Sequence, residues 1–230
     1  MVGSICGYNI EGTIDSCYNN GKITLNEINS NGHYIGGISG NNHNVISNCY
    51  SKGEINVYST ATNPNSKNIG GICGQNTSNG NIVNNINFAN ITAEYTNNIT
   101  SNIGGILGKS GSLSNCYNFG NINVKDNSNF CRIGGVLAQN TFATTIENIY
   151  NIGTISHLEG AIVGLICGKN TGTIQNSQYL NTSGLSSIGD NTGTDNTRGV
   201  DSQTIMPNVL SIVGNKFKLD NAGNPILYWQ

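Results

Sequence analysis

The chain repeats one short pattern along most of its length, and this repetition restricts the fold more than any other feature. The first block of the pattern reads Ile-Gly-Gly-Ile-x-Gly with substitutions, and its copies begin 30 to 34 residues apart. Six copies begin at Val2, Ile35, Ile69, Ile103, Ile133 and Val163. A period of this length is typical of stacked structural units, each of which contacts only its neighbours.

Two further blocks follow the first in each copy. The second is typified by Ile46-Ser-Asn-Cys-Tyr and recurs from Ile14, Ile82, Leu113, Ile146 and Ile174. The third is typified by Gly53-Glu-Ile and recurs in five copies, from Gly21, Ala89, Gly120 and Gly153 as well. Each copy therefore holds three short aliphatic segments separated by Gly and Asn, which tolerate positive φ at corners.

These segments predict strands that pair with the same segments of neighbouring copies. None is long enough for an ordinary helix, and the apolar residues are mostly Ile, which favours strands. One copy cannot bury its own apolar face, so the copies must stack, with strands about 4.8 Å apart. We therefore predict an all-β fold: a parallel β-helix (β-solenoid) of about six coils over residues 1–180, right-handed because parallel crossovers favour that hand.

The blocks resemble a known bacterial repeat. Ile35-Gly-Gly-Ile, Ile46-Ser-Asn-Cys-Tyr and Gly53-Glu-Ile are similar to the GLUG motif of large secreted and surface proteins. That motif occurs in adhesins and in the non-catalytic parts of immunoglobulin A-cleaving metallopeptidases. The ending, residues 217–230, resembles a segment that closes such arrays. The resemblance implies a bacterial, extracellular or cell-surface protein, and Ala89, Asn85, Ile86 and Leu165 depart from the pattern.

Composition narrows the possible partners. Charged residues make up 10% of the chain and the formal net charge is -2, so nucleic acid is not expected as a partner. No stretch is apolar enough for a membrane span, and the first residues lack the features of a signal peptide. The chain begins with a full repeat and no cap, so we expect a part of a larger protein.

Seven cysteines are present, an odd number with no CxxC pair. A complete disulfide framework is therefore excluded, and a zinc site is not expected. Six of them recur at two positions of the repeat where other copies have Leu or Ile, which predicts inward-facing thiols. Cys131 falls in a connecting segment and is predicted to be the most exposed thiol. No cofactor or metal is expected.

Two columns of equivalent residues are candidates for ligand contact. One is an asparagine column, which we interpret as a structural hydrogen-bonded ladder, with a ligand-binding row as the alternative: Asn48, Asn84, Asn115, Asn148 and Asn176. The other is a tyrosine column that is interrupted by Ile86: Tyr18, Tyr50, Tyr117 and Tyr150. Tyrosine rings stack on sugar rings, so this column is the possible ligand-contact row, with packing as the alternative.

The acidic residues do not predict an active site. Asp15 and Glu147 share one column but lie four coils apart, about 19 Å from the strand spacing, too far for paired carboxylate chemistry. Asp190, Asp195 and Asp201 match no calcium-loop spacing and are interpreted as a solvated loop. The chain also lacks the HExxH motif of metallopeptidases. We therefore expect no enzymatic activity.

Residues 181–230 change in character and are predicted to form a loop, a short helix over 206–213 and a capping strand that protects the open end of the solenoid. The favoured function is a non-catalytic adhesive or stalk module of a secreted or cell-surface protein, whose partner is a host or cell-wall glycan or a protein. The alternative is a glycan-binding or glycan-cleaving β-helix. Ice binding is disfavoured because no threonine ladder recurs.

Overall fold

A computed structural model describes residues 1–27, 32–60, 66–97, 99–109, 111–126, 130–181, 183–201, 216–223 and 225–230. These residues form 30 β-strands, numbered β1 to β30 in chain order, and no α-helix. Parallel sheets stack as a β-solenoid, which confirms the predicted fold class. The hand of the coil stays a prediction. No helix in the described part of the chain has the length and apolarity to cross a membrane.

Each first block is divided between two sheets. Sheet A contains β1 (Val2–Gly3), β6 (His33–Gly36), β11 (Lys67–Gly70), β16 (Ser101–Gly104), β20 (Cys131–Gly134) and β24 (Ile162–Gly164). Sheet B contains β2 (Cys6–Asn9), β7 (Ser39–Asn42), β12 (Cys73–Asn76), β17 (Leu107–Lys109), β21 (Leu137–Asn140), β25 (Cys167–Asn170) and β27 (Ile188–Asn191). The sequence predicted three segments per coil, and the structure has a fourth because the glycine pair separates these two strands.

The second block forms sheet C and the third forms sheet D. Sheet C contains β3 (Thr13–Asp15), β4 (Tyr18–Asn19), β8 (Val45–Ser47), β9 (Tyr50–Ser51), β13 (Asn81–Val83), β14 (Ile86–Asn87), β18 (Ser112–Asn118), β22 (Thr145–Asn151), β26 (Thr173–Leu180) and β28 (Thr194–Val200). Sheet D contains β5 (Ile23–Glu27), β10 (Ile55–Ser59), β15 (Ile91–Tyr95), β19 (Ile122–Lys125) and β23 (Ile155–Ser156).

Five turns have a strand in every sheet, matching the five copies that carry the third block. The sixth copy supplies strands to sheets A, B and C. β27 then pairs with β25 and β28 with β26, both parallel. The solenoid therefore extends past residue 180, where the sequence predicted a loop to begin, and Asp190 and Asp195 lie on its strands.

Two hydrophobic cores lie side by side within each turn. One core is enclosed by sheets B and C, and Ile38, Ile72 and Ile106 pack in it. The other is enclosed by sheets A and D, and Ile35 and Ile69 pack in it. The two Ile residues of each Ile-Gly-Gly-Ile motif therefore enter different cores, and the glycine pair lies between the cores.

An inner ladder of polar side chains forms the wall between the cores. Its members follow the Cys-Tyr positions of the second block: Asn19, Ser51, Asn87, Asn118 and Asn151. The side chain of Asn87 donates a hydrogen bond to Asn118 at 2.8 Å, and Asn118 donates to Asn151 at 2.9 Å. A Cβ on Gly71 would lie 2.2 Å from Cγ of Asn87 and 2.1 Å from the carbonyl oxygen of Gly105. Glycine is therefore required because the ladder and the next turn approach so closely.

The predicted reason for the repeated glycines was wrong. Of the described glycines, only Gly111, Gly160, Gly184 and Gly223 have positive φ, and none belongs to the repeated blocks. The positive φ values at the corner of the second block, from 50° to 58°, belong to Ser16 in the first copy and to asparagine in the others: Asn48, Asn84, Asn115, Asn148 and Asn176. Ala89 replaces a corner glycine without altering the corner, since Asn87 bonds its backbone N–H and C=O as Asn151 does at Gly153.

The C-terminal residues form an antiparallel hairpin, β29 (Phe217–Leu219) and β30 (Pro225–Leu227). The hairpin packs beside sheet C, along the flank of the solenoid, and not over an open end. The predicted short helix, 206–213, lies outside the described residues.

Candidate aromatic cleft

The predicted ligand-contact row lies on the outer face of sheet C. Tyr18 pairs in register with Tyr50, Ile86 with both Tyr50 and Tyr117, and Tyr117 with Tyr150. The tyrosines point outward because the Cys positions before them point into the core between sheets B and C. The column is thus continuous, as predicted, but its residues differ greatly in exposure.

Three of the four tyrosines are covered by the C-terminal hairpin. Tyr50 is 8% exposed, and Tyr117 and Tyr150 are each 1% exposed. The ring of Phe217 meets Tyr117 edge to face at 4.8 Å, and Leu227 is fully buried in the same cluster. A ligand cannot reach Tyr117 or Tyr150 while the hairpin is in place. The hairpin covers the tyrosine column because the column is apolar, and burying its aromatic surface stabilises the docked hairpin.

At the N-terminal end of the column the aromatic surface remains open. Tyr18 is 52% exposed and stacks on Tyr50 at 5.3 Å, with an angle of 9° between the rings. Trp229 follows β30, lies 5.6 Å from the ring of Tyr50, and donates its indole N–H to the backbone oxygen of Asn48 at 3.0 Å. Trp229 is 42% exposed and Tyr228 is 64% exposed.

Tyr228 and Trp229 line a depression that we call the aromatic cleft. The cleft has a volume of about 550 Å³ and is lined by Asp15, Ser16, Asn48, Lys216, Tyr228 and Trp229. One wall is therefore the first corner of sheet C and the other is the C-terminal hairpin. Residues more than 180 positions apart in sequence form it, so the pattern of the repeats does not predict it.

Asp15 supplies the negative charge of the cleft. The hydroxyl of Ser47 donates to Oδ1 at 2.5 Å and holds the pKa of Asp15 below its usual value. Ser16, at 2.8 Å, and Asn48, at 2.6 Å, donate to the same carboxylate and lower the pKa further, as does the charge of Lys216, while partial burial opposes them. Asp15 is therefore ionised at neutral pH, and its hydrogen bonds fix its orientation.

From Asn48 to Asn148 the asparagine column is a hydrogen-bonded ladder, as the preferred interpretation predicted. Asn84 donates to Asn48 at 3.3 Å, Asn115 to Asn84 at 3.1 Å and Asn148 to Asn115 at 3.0 Å. Asn48 ends the ladder by donating to Asp15. These linked asparagines, which we call the outer ladder, therefore orient one wall of the aromatic cleft.

A second depression, of about 310 Å³, lies at the other end of the outer ladder, and its lining includes Asn148, Asn176 and Arg198 but no aromatic residue. No group of three His, Cys, Asp or Glu side chains in the described residues is arranged to hold a metal ion.

The cysteines lie mainly inside the solenoid. All seven are free, and Cys49, Cys73, Cys116 and Cys167 are buried in the core between sheets B and C. The prediction for Cys131 was wrong: it begins β20, pairs with Ser101 and is fully buried. The sequence did not reveal this because β20, like β6, β11 and β16, begins two residues before the repeated block.

The aromatic cleft was not predicted from the sequence. The C-terminal residues were predicted only as a capping segment, and Asp15 was considered only for its distance from Glu147. The one signal was that the single Trp of the chain follows a Tyr near the C-terminus. The surface that this Trp contacts depends on where the C-terminal hairpin docks, and a local sequence pattern does not specify that position.

The fold and the cleft define the class of this protein: a parallel β-solenoid with an aromatic depression on its flank. It is similar to a crystal structure of a putative immunoglobulin A1 protease from Bacteroides ovatus, with a TM-score of 0.60 and 19% sequence identity. The similarity covers 98% of this chain and 75% of the other. No family model and no curated protein matches the sequence. At this identity the similarity establishes the solenoid fold alone.

Proposed function

We propose that the chain is a non-catalytic, GLUG-type repeat module of a secreted or cell-surface bacterial protein. In this proposal the solenoid is a stiff stalk and the aromatic cleft is its adhesive site, which binds a saccharide of a host or cell-wall glycan. The structural similarity to the Bacteroides ovatus protein supports a solenoid module of this kind. The observation that carries the proposal is the exposed aromatic surface beside fixed polar groups.

Saccharides suit this combination of groups. Tyr228 and Trp229 offer flat apolar faces in the cleft, on which sugar rings stack, while Asp15 and Lys216 offer an acceptor and a donor for hydroxyl groups. The ladder and the docked indole hold these groups in place before a ligand arrives, which reduces the entropy lost on binding.

The carboxylate of the cleft favours a role in glycan binding over a role in glycan cleavage. Glycoside hydrolysis uses two carboxyl groups on either side of the scissile bond. The lining of the aromatic cleft contains one, Asp15, and its oxygens already accept hydrogen bonds from Ser16, Ser47 and Asn48. A carboxylate that is stabilised in its charged form is a poor proton donor.

A glycan array tests this proposal directly. We expect the intact chain to bind a restricted set of saccharides, and Tyr228→Ala to weaken binding about tenfold, the value of one aromatic contact. Tyr58→Ala is the matched control, because Tyr58 is also exposed, at 38%, but lies on sheet D. Circular dichroism would show that both variants keep their strands.

Two results would count against the adhesive site. One is the lack of binding to any saccharide by the intact chain. The other is an equal loss of binding in the Tyr58 and Tyr228 variants, which would mean that the cleft is not where the ligand is held. Tyr117→Ala would not be informative, because Tyr117 is buried under the hairpin.

A further inference from the structure

A lysine and a glutamate are buried together where sheet D leads into sheet A. Lys67, the first residue of β11, is fully buried, and its Nζ contacts Oε2 of Glu27, the last residue of β5. Glu27 is 7% exposed. By contrast, the ion pair of Lys125 and Glu94 also joins two turns, at 2.7 Å, but its side chains are 58% and 37% exposed.

The buried pair lies in a dry site and lacks supporting hydrogen bonds. Nζ of Lys67 and Oε2 of Glu27 make no hydrogen bond of good geometry, so their contact is not reinforced as a buried ion pair needs to be. Tyr95 lies in the same sheet D column as Glu27, and burial raises its pKa well above the usual value, which indicates a dry site. Amide formation requires the amine and the carboxyl group in their neutral forms, which transfer of one proton from Nζ to the carboxylate would supply.

That transfer creates reactive partners. A neutral amine is a nucleophile, and a protonated carboxyl group has an electrophilic carbon. The buried contact holds them together, which replaces an encounter in solution. Nε2 of His33 lies 2.9 Å from Oε1 of Glu27 and is placed to carry a proton at that oxygen.

We propose that Lys67 and Glu27 condense into an isopeptide crosslink. The lone pair of Nζ attacks Cδ of Glu27, forming the C–N bond. One proton from nitrogen and the proton of the carboxyl group both pass to Oε1, which Nε2 of His33 contacts, and the C–Oε1 bond breaks to release one water molecule while Oε2 remains as the amide carbonyl oxygen. The step needs no oxidant, reductant or other reactant.

The crosslink would enclose one complete turn of the solenoid. Glu27 ends the first turn and Lys67 begins the third, so the closed loop contains β6 to β10. Strands inside a covalent loop cannot separate from the stack without breaking a bond, which suits a stalk under tension. The inference does not depend on saccharide binding.

Mass spectrometry of the denatured chain tests the crosslink. We expect an intact mass lower than the sequence mass by one water, and a branched tryptic peptide joining Glu27 to Lys67. Lys67→Met keeps an apolar stem without the amine, so it should restore the full mass. Lys125→Met, the matched control at the exposed pair, should retain the deficit.

The chain already carries an internal control for chemical labelling. Acetylation after denaturation should modify Lys125 and leave Lys67 unmodified. The inference is overturned by a full intact mass with Lys67 acetylated, or by a water loss that peptide sequencing locates at another residue. Either result can be measured on the chain without any substitution, so the test stands even if the Lys67 variant fails to fold.

Discussion

The inner ladder should be a principal source of stability, and Asn118→Ala tests this. Asn118 is 1% exposed and takes part in three hydrogen bonds: it accepts one from Asn87 and donates to Gly120 and Asn151. A buried neutral hydrogen bond contributes about 1 kcal/mol net, so we expect a loss of about 3 kcal/mol in the free energy of unfolding. The Asn87 and Asn151 amides keep other partners, which limits any further cost.

Urea unfolding followed by circular dichroism measures the effect. With an m-value of about 3 kcal/mol/M, the midpoint should fall by roughly 1 M. Asn123→Ala is the control, since Asn123 faces solvent on β19 and should change stability by less than about 0.5 kcal/mol. If the two variants unfolded at the same urea concentration with equal m-values, the ladder would not stabilise the fold and our account of the glycine pair would fail.

Three further predictions follow from close approach, burial and charge. Gly105→Ala should destabilise the fold by about 1–3 kcal/mol, because its Cβ would lie 2.1 Å from the Gly135 oxygen; equal stability in urea would refute the clash. Burial raises the pKa of Cys116 to about 12, so this thiol should resist a disulfide reagent at pH 8 until the chain unfolds, and fast native labelling would contradict its burial. The pKa of Asp15 is lower in the folded chain than in the unfolded chain, so Asp15 stabilises the fold at pH values above its unfolded pKa, and this contribution is lost as the pH falls through its folded pKa. Asp15→Asn should therefore flatten the decline of the thermal midpoint below about pH 4, and an unchanged decline would exclude Asp15 as a source of that stability.

The repeat predicted how neighbouring turns of the solenoid stack on each other. Each turn contacts mainly the turns before and after it, so a position that recurs every 30 to 34 residues must stack on its own equivalents. This rule was enough for the parallel register, the outer asparagine ladder and the inward positions of most cysteines. It failed for Cys131, because β20 begins two residues before the recurring residues.

The sequence by itself determined the stack, because like segments pair wherever each turn has the same apolar face to bury. Only the tertiary structure decided that the glycine pair lies between two cores, since an Ile-Gly-Gly-Ile motif does not indicate that Asn87 approaches Gly71 from another sheet. The aromatic cleft also depended on tertiary structure. Its walls come from the first turn and the last residues, and their meeting depends on a hairpin that docks by burying aromatic surface, a contact with no period in the sequence.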